Sequence, residues 1–288
     1  MLSVEKSWSI PFSKRIVTGE VMASIKIRGR IFYRTCVFPV ILCLTAIDVY
    51  AQGSTAWTAR YNGPGNSEDG ATALKVDGLN NVYVTGFSTG SGTGVDFATL
   101  KYSPSGLLLW ERRYNGPSNA DDRGLALAVD QPGNVYVTGV SFDSVTSDDI
   151  VTLKYSSSGV LQWERRYNGP GNDRDEPSAI ALDPSGNVFV TAASFDTANS
   201  YDYVTLKYSP SGTLLREMRY NGPPNGLDVP TALTTDTFGN LYVTGYSTQA
   251  NGFTDYATVK YSSAGTLLWE RRYNGPADAE DWPFALAV

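Results

Sequence analysis

The 288-residue sequence contains no histidine. That removes Ser-His-Asp and Cys-His catalysis, histidine metal ligation and histidine-based pH switching. It has two cysteines, Cys36 and Cys43, both near the N-terminus, so the rest of the chain is held by packing without disulfides. No basic excess exists. The formal charge is −6, which argues against binding a phosphate backbone and so against a nucleic-acid partner. No apolar run is long enough to span a bilayer; the longest, Cys36–Ile47, has 12 residues. Helical periodicity is missing as well. What the chain does have is abundant glycine (28) and tyrosine (18), and a strong repeat.

Residues 1–51 read as a leader. Lys26, Arg28, Arg30 and Arg34 precede the apolar run, and Val49-Tyr50-Ala51 places small residues before Gln52. A basic region, a short apolar core and a small-residue exit describe a secretory signal peptide. Translation from Met22 gives it ordinary length; a retained signal anchor is the alternative. Neither cysteine sits in a lipobox. The leader carries seven Lys/Arg and three Asp/Glu of the 23 and 29 in the chain, leaving 16 against 26 and a net charge of −10 over 237 residues. The expectation is a secreted or cell-surface protein with no membrane span once the leader is removed.

The string Arg-Tyr-Asn-Gly-Pro occurs five times, with Tyr61, Tyr114, Tyr167, Tyr220 and Tyr273 spaced by 53 residues and no insertion or deletion. Fixed periods of this kind indicate solenoids or propellers. Each period predicts four strands. The first runs over Ala71–Val76 and its copies, ending on an aspartate and a tight turn such as Asp130-Gln-Pro-Gly-Asn134. The second starts at Val82, Val135, Val188 and Leu241; the third at Asp96, Asp149, Asp202 and Asp255; the fourth is Leu107–Tyr114 and its copies. β-branched and aromatic residues fill these runs, and turn residues separate them. The second strand is apolar, Tyr or Thr on both faces, as in a sheet buried between two others. Alanine recurs on the first strand (Ala73, Ala126, Ala179, Ala232, Ala285), which suits a crowded axis. Trp57, Trp110, Trp163 and Trp269 fall on the outer strand, where diverging blades leave a gap; Arg216 replaces tryptophan in one copy and predicts a weaker contact there.

The fold class expected is therefore all-β, a β-propeller of four-stranded antiparallel blades. A β-solenoid is the alternative, but its rungs are shorter and lack paired tight turns. Blades are placed over about 71–114, 124–167, 178–220 and 231–273, with lone strands at 56–61 and 284–288. Extending the period puts the end of the next third strand at position 314. The ring is thus expected to be incomplete, as in a truncated product, since an open arc exposes strand edges and apolar faces.

The string Asp-x-x-Gly-Asn-Val-Tyr-Val-Thr-Gly followed by Asp-x-x-x-x-Lys-Tyr-Ser-x-x-Gly-x-x-x-Trp resembles the bacterial SBBP β-propeller repeat family, over nearly all of residues 52–288. The resemblance implies secreted or surface-attached proteins with no common catalytic activity.

Two acidic series fall at the end of the blades that carries the inter-blade loops. Asp69, Asp122, Asp175, Asp228 and Asp281 lie eight residues after each repeated tyrosine; Asp96, Asp149, Asp202 and Asp255 open the third strands. A ring of calcium sites is one reading, because hard cations take several oxygen ligands. The other is that these aspartates cap strand ends or pair with repeated cations, either Lys101, Lys154, Lys207 and Lys260 or Arg60, Arg113, Arg166, Arg219 and Arg272. A residue kept in every copy more often serves the repeated fold, and no dense Asp-x-Asp-x-Asp loop exists. No firm metal, cofactor or catalytic residue is assigned.

A hydrolytic carboxylate pair is the enzymatic alternative. Yet the adjacent pairs Asp121-Asp122 and Asp148-Asp149 point to opposite faces of a strand. Ser103–Trp110 is similar to the sialidase Asp-box but lacks its aspartate, and no phosphate-binding glycine loop is present. The loops Ser88–Val95, Ser141–Asp148, Ser194–Tyr201 and Ser247–Thr254 differ most between copies. Variable loops on a rigid scaffold are where binding usually resides. The expected role is an extracellular scaffold recognising a protein or glycan through that face, with a carbohydrate-active enzyme as the runner-up.

Overall fold

A computed structural model of the chain describes residues 15–17, 20–22, 55–197 and 200–288. The chain divides into two compact units, Met1–Thr58 and Ala59–Val288. In the first unit, β1 (Arg15–Val17) and β2 (Glu20–Met22) pair antiparallel. The rest of the leader reading lies outside the described residues.

The second unit is all β. Blade one comprises β3 (Asp69–Val76), β4 (Val82–Thr89), β5 (Val95–Tyr102) and β6 (Leu108–Tyr114). Blade two comprises β7 (Asp122–Val129), β8 (Val135–Asp143), β9 (Ser147–Tyr155) and β10 (Leu161–Tyr167). Blade three comprises β11 (Asp175–Leu182), β12 (Val188–Phe195), β13 (Tyr201–Tyr208) and β14 (Leu214–Tyr220). Blade four comprises β15 (Asp228–Thr235), β16 (Leu241–Thr248), β17 (Thr254–Tyr261) and β18 (Leu267–Tyr273). Each is one antiparallel sheet with its strands in sequence order, the up-and-down blade of a propeller. Among the described residues there is no helix, and hence none long and apolar enough to cross a membrane.

The first strands begin at 69, 122, 175 and 228 rather than at 71, 124, 178 and 231, because each opening aspartate pairs with a serine of the second strand (Asp69↔Ser88, Asp122↔Ser141, Asp175↔Ser194, Asp228↔Ser247). Each first strand also carries a bulge just before its alanine, as between Ala71 and Ala73. The bulged side chains join neighbouring blades near the axis. Thr72 Oγ1 donates to Gly124 O (2.6 Å) and Ser178 Oγ to Pro230 O (2.6 Å). At their turn-side ends, the first strands of blades one to three line a cavity of about 320 Å³ between Lys75, Val129 and Leu182.

The middle strands are covered on both faces. Tyr83, Phe97 and Trp110 of blade one pack on Val135, Val137, Val151 and Leu153 of blade two, and the pattern recurs down the chain. Inside each sheet a threonine pair bridges the two middle strands, for instance Thr138 and Thr152 at 3.3 Å. The tight turns follow the predicted chemistry. Asp130 Oδ1 accepts from Asn134 N (2.7 Å), and Gly133 takes a left-handed φ of 84°.

Two expectations need correction. Residues 56–61 and 284–288 are not strands, because among the described residues neither segment pairs with a neighbouring strand. Both ends nonetheless keep a repeat contact: Tyr61 hydroxyl bonds Glu111, and Pro283 O accepts from Thr231 Oγ1 (2.8 Å). The Arg216 copy is also not simply weakened. Arg216 is exposed, while Met218, two residues along the same strand, is buried and joins the core of blade four. An unbranched thioether fills the gap that tryptophan fills elsewhere.

Candidate functional site

The loop end of each blade is built from one repeated unit. Asp69, Ser88 and Asp96 lie in a row across three strands, as do Asp122, Ser141 and Asp149, and their later copies. In the first aspartate series, one carboxylate oxygen accepts the amide of the Asn-Gly-Pro glycine. Gly63 N donates to Asp69 Oδ2 at 2.9 Å, Gly116 N to Asp122 at 2.6 Å, Gly169 N to Asp175 at 2.5 Å, Gly222 N to Asp228 at 2.7 Å and Gly275 N to Asp281 at 2.6 Å. Glycine is required there: a Cβ on Gly116 sits 2.3 Å from Ser141 Oγ and 2.7 Å from Asp122 Oδ1.

The fourth-strand arginines close the unit. Arg113 Nη1 donates to Ser88 Oγ (2.7 Å), and its Nη2 reaches Asp96 Oδ2 (2.9 Å). Arg166 repeats this on Ser141 (2.7 Å) and Asp149 (3.2 Å). The same guanidinium donates to the tyrosine of the preceding period, Arg166 to Tyr114 hydroxyl at 3.2 Å. That hydroxyl in turn donates to Glu164 (2.7 Å). The lysine series does not join this unit. Lys101 and Lys154 donate to turn carbonyls of the next blade, Ser157 O (3.1 Å) and Pro210 O (3.0 Å), with each ammonium over a tyrosine ring.

The unit is less well compensated in the last two blades. Asp202 lies 3.8 Å from Arg219, and Asp255 is bonded by Gln249. Burial pushes the Asp202 carboxyl up to about 6, with the charge of Asp196 adding to the effect. Burial also raises Asp122, Asp175 and Asp228. Among the described residues, no group of three or more Asp, Glu, Cys or His side chains is placed to hold a metal ion.

The Asp202 shift gives a stability prediction. The folded state holds this proton more tightly than the unfolded chain, whose aspartate titrates near 3.8. Its stabilising contribution is full below about pH 4 and is lost as pH rises through about 6. Asp202→Asn is therefore expected to stabilise the fold at pH 7.5, by roughly 1–3 kcal/mol, and to change little at pH 4. Denaturant unfolding at both pH values measures it, and an equal offset at both contradicts the assignment.

Sequence reasoning missed two features. The serine row was visible at the 53-residue spacing but looked like the start of a loop. The second feature is a set of positions that does not repeat. The residue after each first-series aspartate is Gly70, Arg123, Glu176, Val229 or Trp282, and the residue before each serine is Phe87, Val140, Ala193 or Tyr246. These lie side by side at the loop end of the inner strands. Gly70 leaves room for the Phe87 ring, which a Cβ there meets at 2.4 Å. The Arg123 guanidinium lies over Phe87, 5.5 Å from the ring centroid, and pairs with Asp121 (2.9 Å). Arg174 bridges Glu176 (2.7 Å) and Asp148 (3.4 Å). Trp282 stacks on Tyr246, with centroids 5.4 Å apart and planes 23° apart.

One stretch of the chain matches a β-propeller family model, in agreement with this architecture. Residues 218–253 match the family described as SBBP, beta-propeller repeat. The chain is 34% identical over 109 residues to regulatory protein FlaEY of Caulobacter vibrioides, covering 33% of this chain and 11% of that protein. It is 25% identical over 265 residues to an uncharacterized WD repeat-containing protein of Acanthamoeba polyphaga mimivirus, covering 76% of this chain and 18% of that protein. The chain thus spans less than a fifth of the length of either relative. Among solved structures it is similar to a Dyadobacter fermentans protein of unknown function, with 10% identity, a TM-score of 0.46, and coverage of 70% of this chain and 68% of that one.

Proposed function

We propose that this SBBP β-propeller repeat chain is a secreted or surface-exposed recognition scaffold that holds an extracellular protein or glycan on its loop face and carries out no catalysis of its own. One observation carries the reading: the repeated polar side chains are engaged in the same bonds in blade after blade, while the unrepeated ones gather at the loop end of the inner strands. The tyrosine–glutamate bond and the arginine–serine bond each recur at constant spacing. Such groups build the scaffold. Arg123, Glu176, Tyr246 and Trp282 occur once each at their positions, outside the repeated bonds, and set what the face can recognise.

The runner-up, a carbohydrate-active enzyme, needs two carboxyl groups open to substrate, and the buried aspartate rows do not offer that geometry. A protein and glycan array probed with the full chain tests the proposal. Binding is expected to fall at least tenfold when residues 144–146 and 250–252 are replaced by Gly-Ser sequence. Retained binding after both replacements, or release of reducing ends from a bound polysaccharide, overturns it.

A further inference from the structure

We infer that the loop face takes a cationic protein segment, seated on the Trp282–Tyr246 pair. The inference rests on the loop-face reading above and specifies its partner. Trp282 is 47% exposed although its ring stacks on Tyr246, and its Nε1 is fixed by Thr254 Oγ1 at 3.0 Å. Phe253, next to Thr254 in sequence, is also exposed, at 45%. An exposed indole stacked on a half-buried tyrosine is a docking platform, and the charge around it selects the occupant.

That charge is negative. Glu176 and Glu280 lie close enough to Tyr246 that their charges, after burial, hold its hydroxyl above the usual range. Asp278 is tied to the neighbouring loop through Asn251 at 3.0 Å. Glu68, Asp121 and Asp173 are further exposed carboxylates on the inter-blade loops. The cations on this face are Arg123 and Arg174, each already paired with carboxylates, and the fourth-strand arginines, which are bonded inside the repeated units. The lysines are spent at the opposite, turn end of the blades. The field at the loop face therefore draws in cations and repels acidic glycans.

The molecule contains its own precedent. At the equivalent place between blades one and two, the aromatic Phe87 is covered by the guanidinium of Arg123, itself paired with Asp121. The Trp282–Tyr246 pair has carboxylates beside it and a second aromatic where that arginine stands. A guanidinium or ammonium from a partner supplies the cation, held by the ring face and the flanking carboxylates. A neutral sugar stacks on tryptophan but leaves the carboxylates unused.

Fluorescein-labelled octa-arginine, titrated with the full chain and followed by anisotropy, tests this. Saturable binding is expected, weakened at least fivefold between roughly 25 and 200 mM salt. Trp282→Ala should weaken it about 5- to 30-fold and Glu280→Gln about 3- to 10-fold, with thermal midpoints unchanged. Glu68→Gln, at the equivalent position four periods earlier in the chain, should change it less than twofold. Absent binding, an equal loss in Glu68→Gln, or full affinity in Trp282→Ala overturns the cationic-segment assignment. A labelled cellohexaose run in parallel separates the two readings. If the sugar binds in place of the peptide and the loop replacements abolish it, loop-face recognition stands and this inference falls. If the loop-replaced chain still captures its array partner, the wider reading falls with it.

Discussion

Trp163→Ala lowers the unfolding free energy by about 3–5 kcal/mol. The indole is 8% exposed and lies between Tyr136 and Tyr208, each with its centroid 6.1 Å away. Its Nε1 donates to Pro210 O in the next blade (3.1 Å), and the Arg165 guanidinium stands 5.9 Å from its ring. Truncation therefore opens a cavity at the joint between blades two and three and leaves Pro210 O with Lys154 as its donor. Urea unfolding followed by far-UV circular dichroism measures the loss. In a stacked repeat the blades on either side of a weakened joint can separate. A second, shallower transition is expected for this variant, and a loss below about 1 kcal/mol contradicts the packing described. Trp269→Ala serves as the internal comparison. Trp269 stands on the outer strand of the last blade, contacts Tyr242 at 6.1 Å and is only half-buried, so its truncation is expected to cost less than half as much.

The second large effect is at Arg166. Arg166→Met retains most of the side-chain volume but removes the donors to Ser141, Asp149 and Tyr114. It leaves Asp149, 6% exposed, as a buried carboxylate without its cation. Removing one partner of a buried pair costs about 3–5 kcal/mol, chiefly through the charge left behind. The double variant with Asp149→Asn is expected to recover about 1–2 kcal/mol of that loss, a coupling that a double-mutant cycle reads directly. Additive losses in the cycle would falsify the pairing. The same cycle on Arg219 and Asp202 is expected to show weaker coupling, because that pair is 3.8 Å apart and Arg219 is bonded to Glu217 (2.9 Å). Geometry that differs between copies of one motif thus predicts energies that differ between blades.

These contrasts show which parts of the molecule were legible in the chain. The interval between Tyr61 and Tyr114, repeated to Tyr273, carried the blade count. Alternating β-branched and aromatic runs, cut by turns such as Asp183-Pro-Ser-Gly-Asn187, carried the strand count and the antiparallel order. The placement of Trp110 and Trp163 on the outer strand followed from the shape of diverging blades. These properties depend on neighbours in sequence or on the period, and so a single copy discloses them.

Other features depend on what one blade offers the next. Pairing of Asp96 with a repeated cation is legible in the sequence, and the structure selects Arg113 over the lysine series, but the shared serine and the preceding tyrosine come from other strands and another period. The function of Met218 was hidden for the same reason: its value lies in the gap it fills against blade four, not in its own strand. Segments 56–61 and 284–288 have the composition of strands and are not strands, since a strand needs a hydrogen-bonding partner that composition cannot supply.

The sequence by itself determined the architecture, because a 53-residue period with four strand signals admits few packings that bury both faces of every sheet. It also favoured a structural role for the repeated aspartates, whose pairing the structure shows to differ from blade to blade. Only the tertiary structure decided which side chains remain to meet a partner. Gly70, Arg123, Glu176, Val229 and Trp282 sit 53 residues apart and look like drift within a repeat. Folding gathers them at the loop end of the inner strands, where Trp282 and Tyr246 stack, and so makes a surface from differences that no single copy contains.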